Sequence, residues 1–454
     1  MTTNDTAMRK ASILLIILLL PACSEAFSQI QVSIKARNRT TGDTITIRSV
    51  TRSRGLLAVQ TDTDPRTGKP VTILYTDLRT YRYIPDNIES LWQKKILESG
   101  VYENILKSGY SYDRRYNMEE MMKEYLSQAE KNNSFFIDSY LEARLYAILR
   151  KVYPVRHTDK RPGILSLRIL SDITPDAWVG PDGTMIISTG LIAALNSEDE
   201  LMALMAQEVA HFALDHHLAN YSSTLNTGVI PALGNLIRYS SEQELEADRC
   251  ASDVLGMYGL NPSVLGSMLS NVIAFGELMG NYYLGTTTGS FPDAATRSAS
   301  YSGKVSEISA DYDRLIAPVI SYNAYSAYNQ SQYLLCRRLL ERNIATGMAS
   351  ADEMVLLSQA LMNLSGSVTE DEKALAVIRT VTDGLAEPPS VAFKQEALLL
   401  MRLGRHGEAE NSLSKYEEAL SGDEQRYRSM AGDQSRMLDY LASEKEWAAR
   451  TRRR

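Results

Sequence analysis

The sequence predicts a mainly helical α+β chain built in three parts. Three observations carry that prediction. Apolar residues alternate with polar ones between Gln29 and Pro85, the period of strands. From Ile88 the period becomes that of helices, interrupted by three β-like runs between Ile164 and Ser188. After Ser309 helical stripes continue to the end of the chain. At 454 residues there is material for two or three domains. The net charge is −7 with both signs interspersed, so the basic stripe of a nucleic-acid binder is missing.

Residues 1–28 read as an export signal. Arg9 and Lys10 precede the apolar run Ala11 to Leu20, which is followed by Pro21 and small residues. A membrane span needs ~20 apolar residues, and this run is shorter. Two cleavage readings stay open. Leu20-Pro21-Ala22-Cys23 is an imperfect lipobox that would leave a lipid anchor on Cys23, and Ala26-Phe27-Ser28 would leave Gln29 first. Either one predicts an exported protein, periplasmic or associated with an outer membrane. Beyond Cys23 only Cys250 and Cys336 remain, too few for a disulfide framework.

Residues 29–86 predict a small antiparallel sheet or barrel of four or five strands. Ile30, Val32 and Ile34 alternate, as do Ile45 and Ile47 after the turn signal Thr41-Gly42-Asp43. Leu57-Ala58-Val59 and Val71 to Tyr75 continue the pattern between Pro- and Gly-bearing turns. Residues 87–308 form the second part. Met118–Ala129 and Tyr140–Tyr153 carry apolar stripes, and Ile164 to Leu170, Asp176 to Val179 and Thr184 to Ser188 read as strands. Residues 309–454 predict an α-helical tail. Leu403-Gly404-Arg405-His406-Gly407-Glu408-Ala409 resembles the turn of a tetratricopeptide repeat, a unit that stacks into protein-binding surfaces; the alternative is a plain helical bundle.

The most informative stretch is Ser197 to His217. Ser197 and Glu200 have the spacing of a capping box, and Leu201, Leu204, Met205 and Phe212 mark one helical face. Gln207 and His211 stand four apart, roughly 40° around the axis, with Glu208 beside them. In H-E-x-x-H that geometry holds a zinc between two imidazoles, with the Glu as general base. Here the first imidazole is replaced by a carboxamide. A second helix opens near Ser241, where Ser241 and Glu244 again have capping-box spacing. Glu244 and Asp248 share one of its faces. His216 and His217, just past His211, are expected to project away from the face that His211 occupies. His157 and His406 have no motif around them and read as surface residues.

Taken in order, these elements resemble the gluzincin metalloendopeptidases of the CAAX prenyl protease and heat-shock membrane protease family, metallopeptidase family 48. The resemblance runs from about Tyr140 to Tyr301. It rests on Asp176-Ala177-Trp178 and Pro181-Asp182-Gly183, on Gln207-Glu208-Val209-Ala210-His211 with His216 following, on Glu244-Leu245-Glu246-Ala247-Asp248, and on Phe291-Pro292 with Arg297. It implies a zincin-like domain with zinc as cofactor and peptide bonds as substrate. His211 and Glu244 would ligate the metal together with the residue at 207, and Glu208 would be the base acting on metal-bound water. Arg297 would stabilise the oxyanion, with Asp248 and His216 as supporting groups. Thr184, Met185, Ile186, Ile187 and Ser188 would form the edge strand on which substrate adds.

Two positions depart from the family pattern. Gln207 stands where the family has its first zinc ligand, and Phe291 where it has the His before Pro. A neutral amide oxygen is a poor zinc ligand, so the expectation is a weakly active or inactive peptidase that Gln207→His would return to stoichiometric zinc. The rival expectation is a non-catalytic peptide-binding or scaffold protein of the cell envelope, with envelope proteins or unfolded peptides as partners.

Overall fold

The structure is a computed structural model, described for residues 29–107, 112–154, 163–164, 166–280, 293–301 and 307–452. The signal segment, Cys23, His157, Phe291 and Pro292 lie outside the described residues.

The N-terminal part is an open antiparallel sheet of β1 (Ile30–Asn38), β2 (Thr44–Ser53), β3 (Leu56–Thr63), β4 (Pro70–Leu74) and β5 (Tyr81–Tyr83), ordered β4-β3-β2-β1-β5. Along β1 the alternation expected from sequence buries Val32, Ile34 and Ala36 and exposes the residues between them. That buried face meets α1 (Ile88–Glu98), whose Trp92 and Leu97 are fully enclosed. The Trp92 indole N–H donates to the Val152 carbonyl at 2.7 Å, tying α1 to the end of α4 (Ser139–Val152). After α1 come α2 (Val101–Ile105) and α3 (Tyr112–Lys131).

A second, three-stranded sheet consists of β6 (Ser166–Leu170), β7 (Ala177–Val179) and β8 (Thr184–Ser188), in the order β6-β8-β7. β8 therefore is the middle strand, parallel to β6 and antiparallel to β7, with all five of its residues buried. This corrects the expectation that Thr184–Ser188 is an edge strand: its amides and carbonyls are used on both sides. The outer side of β6 is also engaged, by Phe136 N to Ile169 O and Ser171 N to Ser134 O. β7 is left as the edge, three residues long. At Gly190, just past β8, a Cβ would sit 1.9 Å from the Ile173 carbonyl oxygen, so only glycine lets the chain turn there into α5 (Thr189–Ala194).

α6 (Glu198–Ala213) carries the motif. Its Ser197 hydroxyl accepts from Glu200 N as expected, but the Glu200 carboxylate does not close the capping box. It accepts instead from Asn196 N, Ser267 Oγ and Asn271 Nδ2, clamping α6 onto α10 (Ser263–Leu278). α7 (His216–Asn226), α8 (Leu233–Leu236), α9 (Ser241–Met257) and α11 (Ala294–Ser300) complete the surroundings of the motif. α9 is capped one residue earlier than the sequence suggests: Ser240 accepts from Gln243 N, and the Gln243 side chain accepts from Ser240 N.

The C-terminal part is α12 (Ala310–Asn329), α13 (Tyr333–Ala345), α14 (Ala351–Leu364), α15 (Val368–Thr382), α16 (Ser390–Arg402), α17 (His406–Ser429) and α18 (Ser435–Arg452), each packed against the next. One apolar core runs from β1 through the motif helix to α14, while α15 to α18 close around two smaller clusters. The marker turn at 403–405 joins α16 to α17, with Gly404 at φ 72° in the left-handed region. Cys250 and Cys336 are free and buried, and burial pushes their thiols up to about 11 and about 12. Among the described residues no helix is long and apolar enough to cross a membrane.

Candidate active site

Two helices and a short third one build the site. α6 presents Gln207, Glu208 and His211, α9 presents Glu244 and Asp248, and α11 presents Arg297. The helical spacing read from the sequence sets the first two groups; the third arrives from about fifty residues further on. α11 is pinned at both ends. The Ser241 hydroxyl donates to Asp293 at its start, and the Ser298 hydroxyl donates to the Gly266 carbonyl at 2.8 Å. A Cβ at Gly266 would come within 2.7 Å of the Tyr301 carbonyl oxygen, so α10 and α11 touch backbone to backbone.

All six side chains are within 4% of full enclosure, so their charges act in a medium far less polarisable than water. Arg297 meets Asp248 with two parallel bonds, Nε to Oδ2 at 2.7 Å and Nη2 to Oδ1 at 2.6 Å. Its third nitrogen, Nη1, reaches Glu244 Oε2 at 2.8 Å. The same Oε2 accepts from the Gln207 amide nitrogen at 2.8 Å, and His211 Nε2 stands 3.8 Å away from it. Burial works against the Glu244 carboxylate, but His211, Arg297 and Gln207 around it hold its pKa below the usual carboxylate value. At Asp248 burial prevails over the guanidinium and the pKa rises. Glu208 is pushed well above the ordinary range, by burial first and then by Glu244 and Asp176. Burial lowers His211 to about 4, leaving a neutral ring.

The histidines after the motif do not project away. His216 Nδ1 lies 2.9 Å from His211 Nδ1, and its Nε2 lies 3.4 Å from Glu246. The expectation assumed one continuous helix. Instead α6 ends at Ala213 and Asp215 takes the left-handed conformation, φ 61°, which swings α7 back over His211. His217 turns toward the edge of the small sheet, hydrogen-bonds the Val179 backbone and meets the Tyr239 hydroxyl at 2.9 Å. Tyr239 was not foreseen. Its ring stacks on His211 with centroids 3.5 Å apart and planes 15° from parallel. It sits in a polar connection before α9, where no periodicity marks it as core.

Nearby, burial and the Asp172 charge push the Asp176 carboxyl up to about 7 from 3.8. A carboxyl with a raised folded pKa contributes stability that is fully present below the unfolded value and is lost as pH rises through the folded one. Asp176→Asn is therefore expected to match the parent protein in urea melts at about pH 4 and to be the more stable of the two at about pH 8. Parallel melts at both values check this.

The donor set decides whether the family's zinc fits. Catalytic zinc takes three protein ligands drawn from imidazole, carboxylate and thiolate. Here the side chain at 207 turns an N–H donor, not a lone pair, toward Glu244, and that carboxylate oxygen already accepts from two nitrogens. Among the described residues no three His, Cys, Asp or Glu side chains are placed to hold a metal ion. Within this site, Gln207 Oε1, Glu208 Oε2 and His211 Nε2 are buried without a hydrogen-bond partner. They belong to an amide, a carboxyl and a neutral imidazole, and the atom at 207 among them is the neutral amide oxygen, a poor zinc ligand. The residues present do not fit zinc.

Residues 141–233 match the model of peptidase family M48, a segment that holds Gln207, Glu208 and His211 and stops short of Glu244 and Arg297. No curated protein matches the chain closely enough to count as a relative. Members of family M48 are zinc-dependent, and the family points to metalloendopeptidase activity. That match, together with the mainly helical α+β fold around it, supports membership in metallopeptidase family 48.

Proposed function

We propose that this protein is an exported member of the family that no longer hydrolyses peptide bonds and acts in the cell envelope as a scaffold. One observation carries the reading: the residue at the first-ligand position, Gln207, donates a hydrogen bond to Glu244 where the family chemistry needs a second electron pair for the metal. Without a metal-bound water there is no nucleophile for Glu208 to deprotonate. The substrate side of the site supports the same reading. Among the described residues the exposed edge of the small sheet is β7, its Trp178 is packed under Met122 and Tyr125 of α3, and its Val179 backbone is engaged by His217. A peptide could not add there as a strand without displacing both.

Binding then falls to the helical tail, whose paired helices suit envelope proteins or unfolded segments as partners. The chain enters the envelope through the signal at 1–28, with or without a lipid on Cys23. The test is a cleavage assay on the full chain with added zinc and a denatured, labelled casein. No cleavage above that of Glu208→Gln is expected. Zinc-dependent cleavage abolished in Glu208→Gln would return the protein to the active peptidases.

A further inference from the structure

A groove at the edge of the N-terminal sheet shares no lining residue with the peptidase-like site. β5 is the last strand of that sheet, and with α1 and the 3-10 helix Tyr75–Thr80 it lines a cavity of about 690 Å³, the size of a small-molecule site. Arg39, Arg79, Arg82 and Lys94 line it against a single carboxylate, Glu98. Among the described residues no carboxylate pairs with Arg39, Arg79 or Arg82, although other cations of the sheet are paired, Lys35 with Asp86 and Arg48 with Asp62. Arg82 also stands directly opposite Arg37 in the ladder, a like-charge pairing that costs stability and that a bound anion would relieve. The bias extends over residues 29–86, which carry ten Lys and Arg against five Asp in a chain of net charge −7.

We propose that this groove binds a phosphate ester carried on a polar headgroup. Three guanidinium forks match the oxygens of a phosphate group, and each can meet two of them in one plane. Lys94 adds a point charge from α1, where its ammonium has only a loose contact with Glu98, at 3.9 Å. The walls are held in place, because the Tyr75 hydroxyl donates to the Leu97 carbonyl of α1 at 3.4 Å. Tyr75 and Tyr83 line the same groove and give the rest of a headgroup a flat, amphipathic surface. An extended acidic peptide is the poorer occupant. Arg39 N bonds the Thr80 carbonyl and Ile84 N the Lys35 carbonyl, so the alternation of the ladder turns Tyr81 and Tyr83 toward the open edge. The Tyr81 N–H is already taken by the Leu78 carbonyl. That leaves the Tyr83 N–H for an added strand, too little for strand pairing and well suited to one anion oxygen.

The experiment measures binding of the full chain to phosphatidylcholine vesicles with and without phosphatidylglycerol, to glycerol phosphate in solution, and to a poly-glutamate peptide. Three variants are compared with the parent protein: Arg79→Gln/Arg82→Gln in the groove, Arg48→Gln/Arg66→Gln elsewhere on the sheet, and Glu98→Gln. Binding to the phosphatidylglycerol vesicles identifies a lipid headgroup as the source of the ester, and binding of glycerol phosphate identifies a free one; either supports the site. The groove pair is expected to lose about tenfold or more in affinity, while the other pair, with the same loss of charge, stays close to the parent. Glu98→Gln, which removes the carboxylate from the lining, is expected to bind about threefold more tightly. No binding to vesicles or to glycerol phosphate would overturn the proposal. Equal losses in the two arginine pairs would do so too, since they would show a diffuse charge effect, as would binding of poly-glutamate alone. Should the groove pair fail to fold, Glu98→Gln decides, and unchanged or weaker binding there counts against the proposal.

Discussion

Arg297→Leu is expected to be the most damaging single substitution in this part of the chain, costing 5 kcal/mol or more, on the order of the whole stability of a typical domain. The leucine strands two carboxylates at once, Asp248 at 0% and Glu244 at 3% exposure, in a site water does not reach. Removing one partner of a buried ion pair costs about 3–5 kcal/mol because the other charge is left uncompensated. Arg297→Lys should fall between, since an ammonium supplies the charge but not the planar fork that spans Asp248 and Glu244. Urea unfolding followed by circular dichroism orders the three proteins. A leucine variant within 1 kcal/mol of the parent protein, roughly the range of an exposed ion pair, would show that the network contributes little.

Arg342→Met is expected to cost about 3–5 kcal/mol by the same logic at a different place. Arg342 on α13 donates to Asp313 on α12, which is 2% exposed, and to the carbonyls of Ala193 and Leu195 at the end of α5. It thereby fastens the first helices of the tail to the segment leading into the motif helix. Its loss should raise protease sensitivity between α11 and α13 before the rest of the chain is cut. Asp313→Asn in the same protein should recover part of the loss by removing the stranded charge. Limited proteolysis and urea melts of the single and double variants measure that coupling.

The local part of this architecture was legible because it is written at short range. The 3.6-residue period from Leu201 to Phe212, the Ser197 cap and the face shared by Glu244 and Asp248 all depend on neighbours within one helix, and the structure places them there. The three runs read as strands contain β6, β7 and β8 and overshoot them by two residues at most. What failed depends on contacts between distant segments. Strand order is not encoded in a strand's own residues, so Thr184–Ser188 could be read as β but not as the middle strand. β5, three residues of mixed exposure, has too short an alternation to detect.

The histidine cluster illustrates the same limit. The angular position of His216 follows from helix geometry only while the helix lasts, and a single left-handed residue, Asp215, brings it onto His211. Tyr239 reaches the same ring from a loop 28 positions along the chain, with no motif to announce it. Gln207 was recognised from sequence as a lost ligand, yet the sequence could not tell what it does instead. That required its distance to Glu244 and the presence of Arg297 on the same oxygen.

The central claim is that Glu244 is a partner of Gln207 and Arg297 and not a metal ligand. Titration calorimetry of zinc into the full chain and into Glu244→Ala tests it directly, with each protein first treated with chelator. The account predicts no saturable one-to-one binding in the parent protein and no difference that depends on Glu244 beyond the loss of stability. Tight one-to-one zinc binding in the parent, abolished in a folded Glu244→Ala variant, would contradict it.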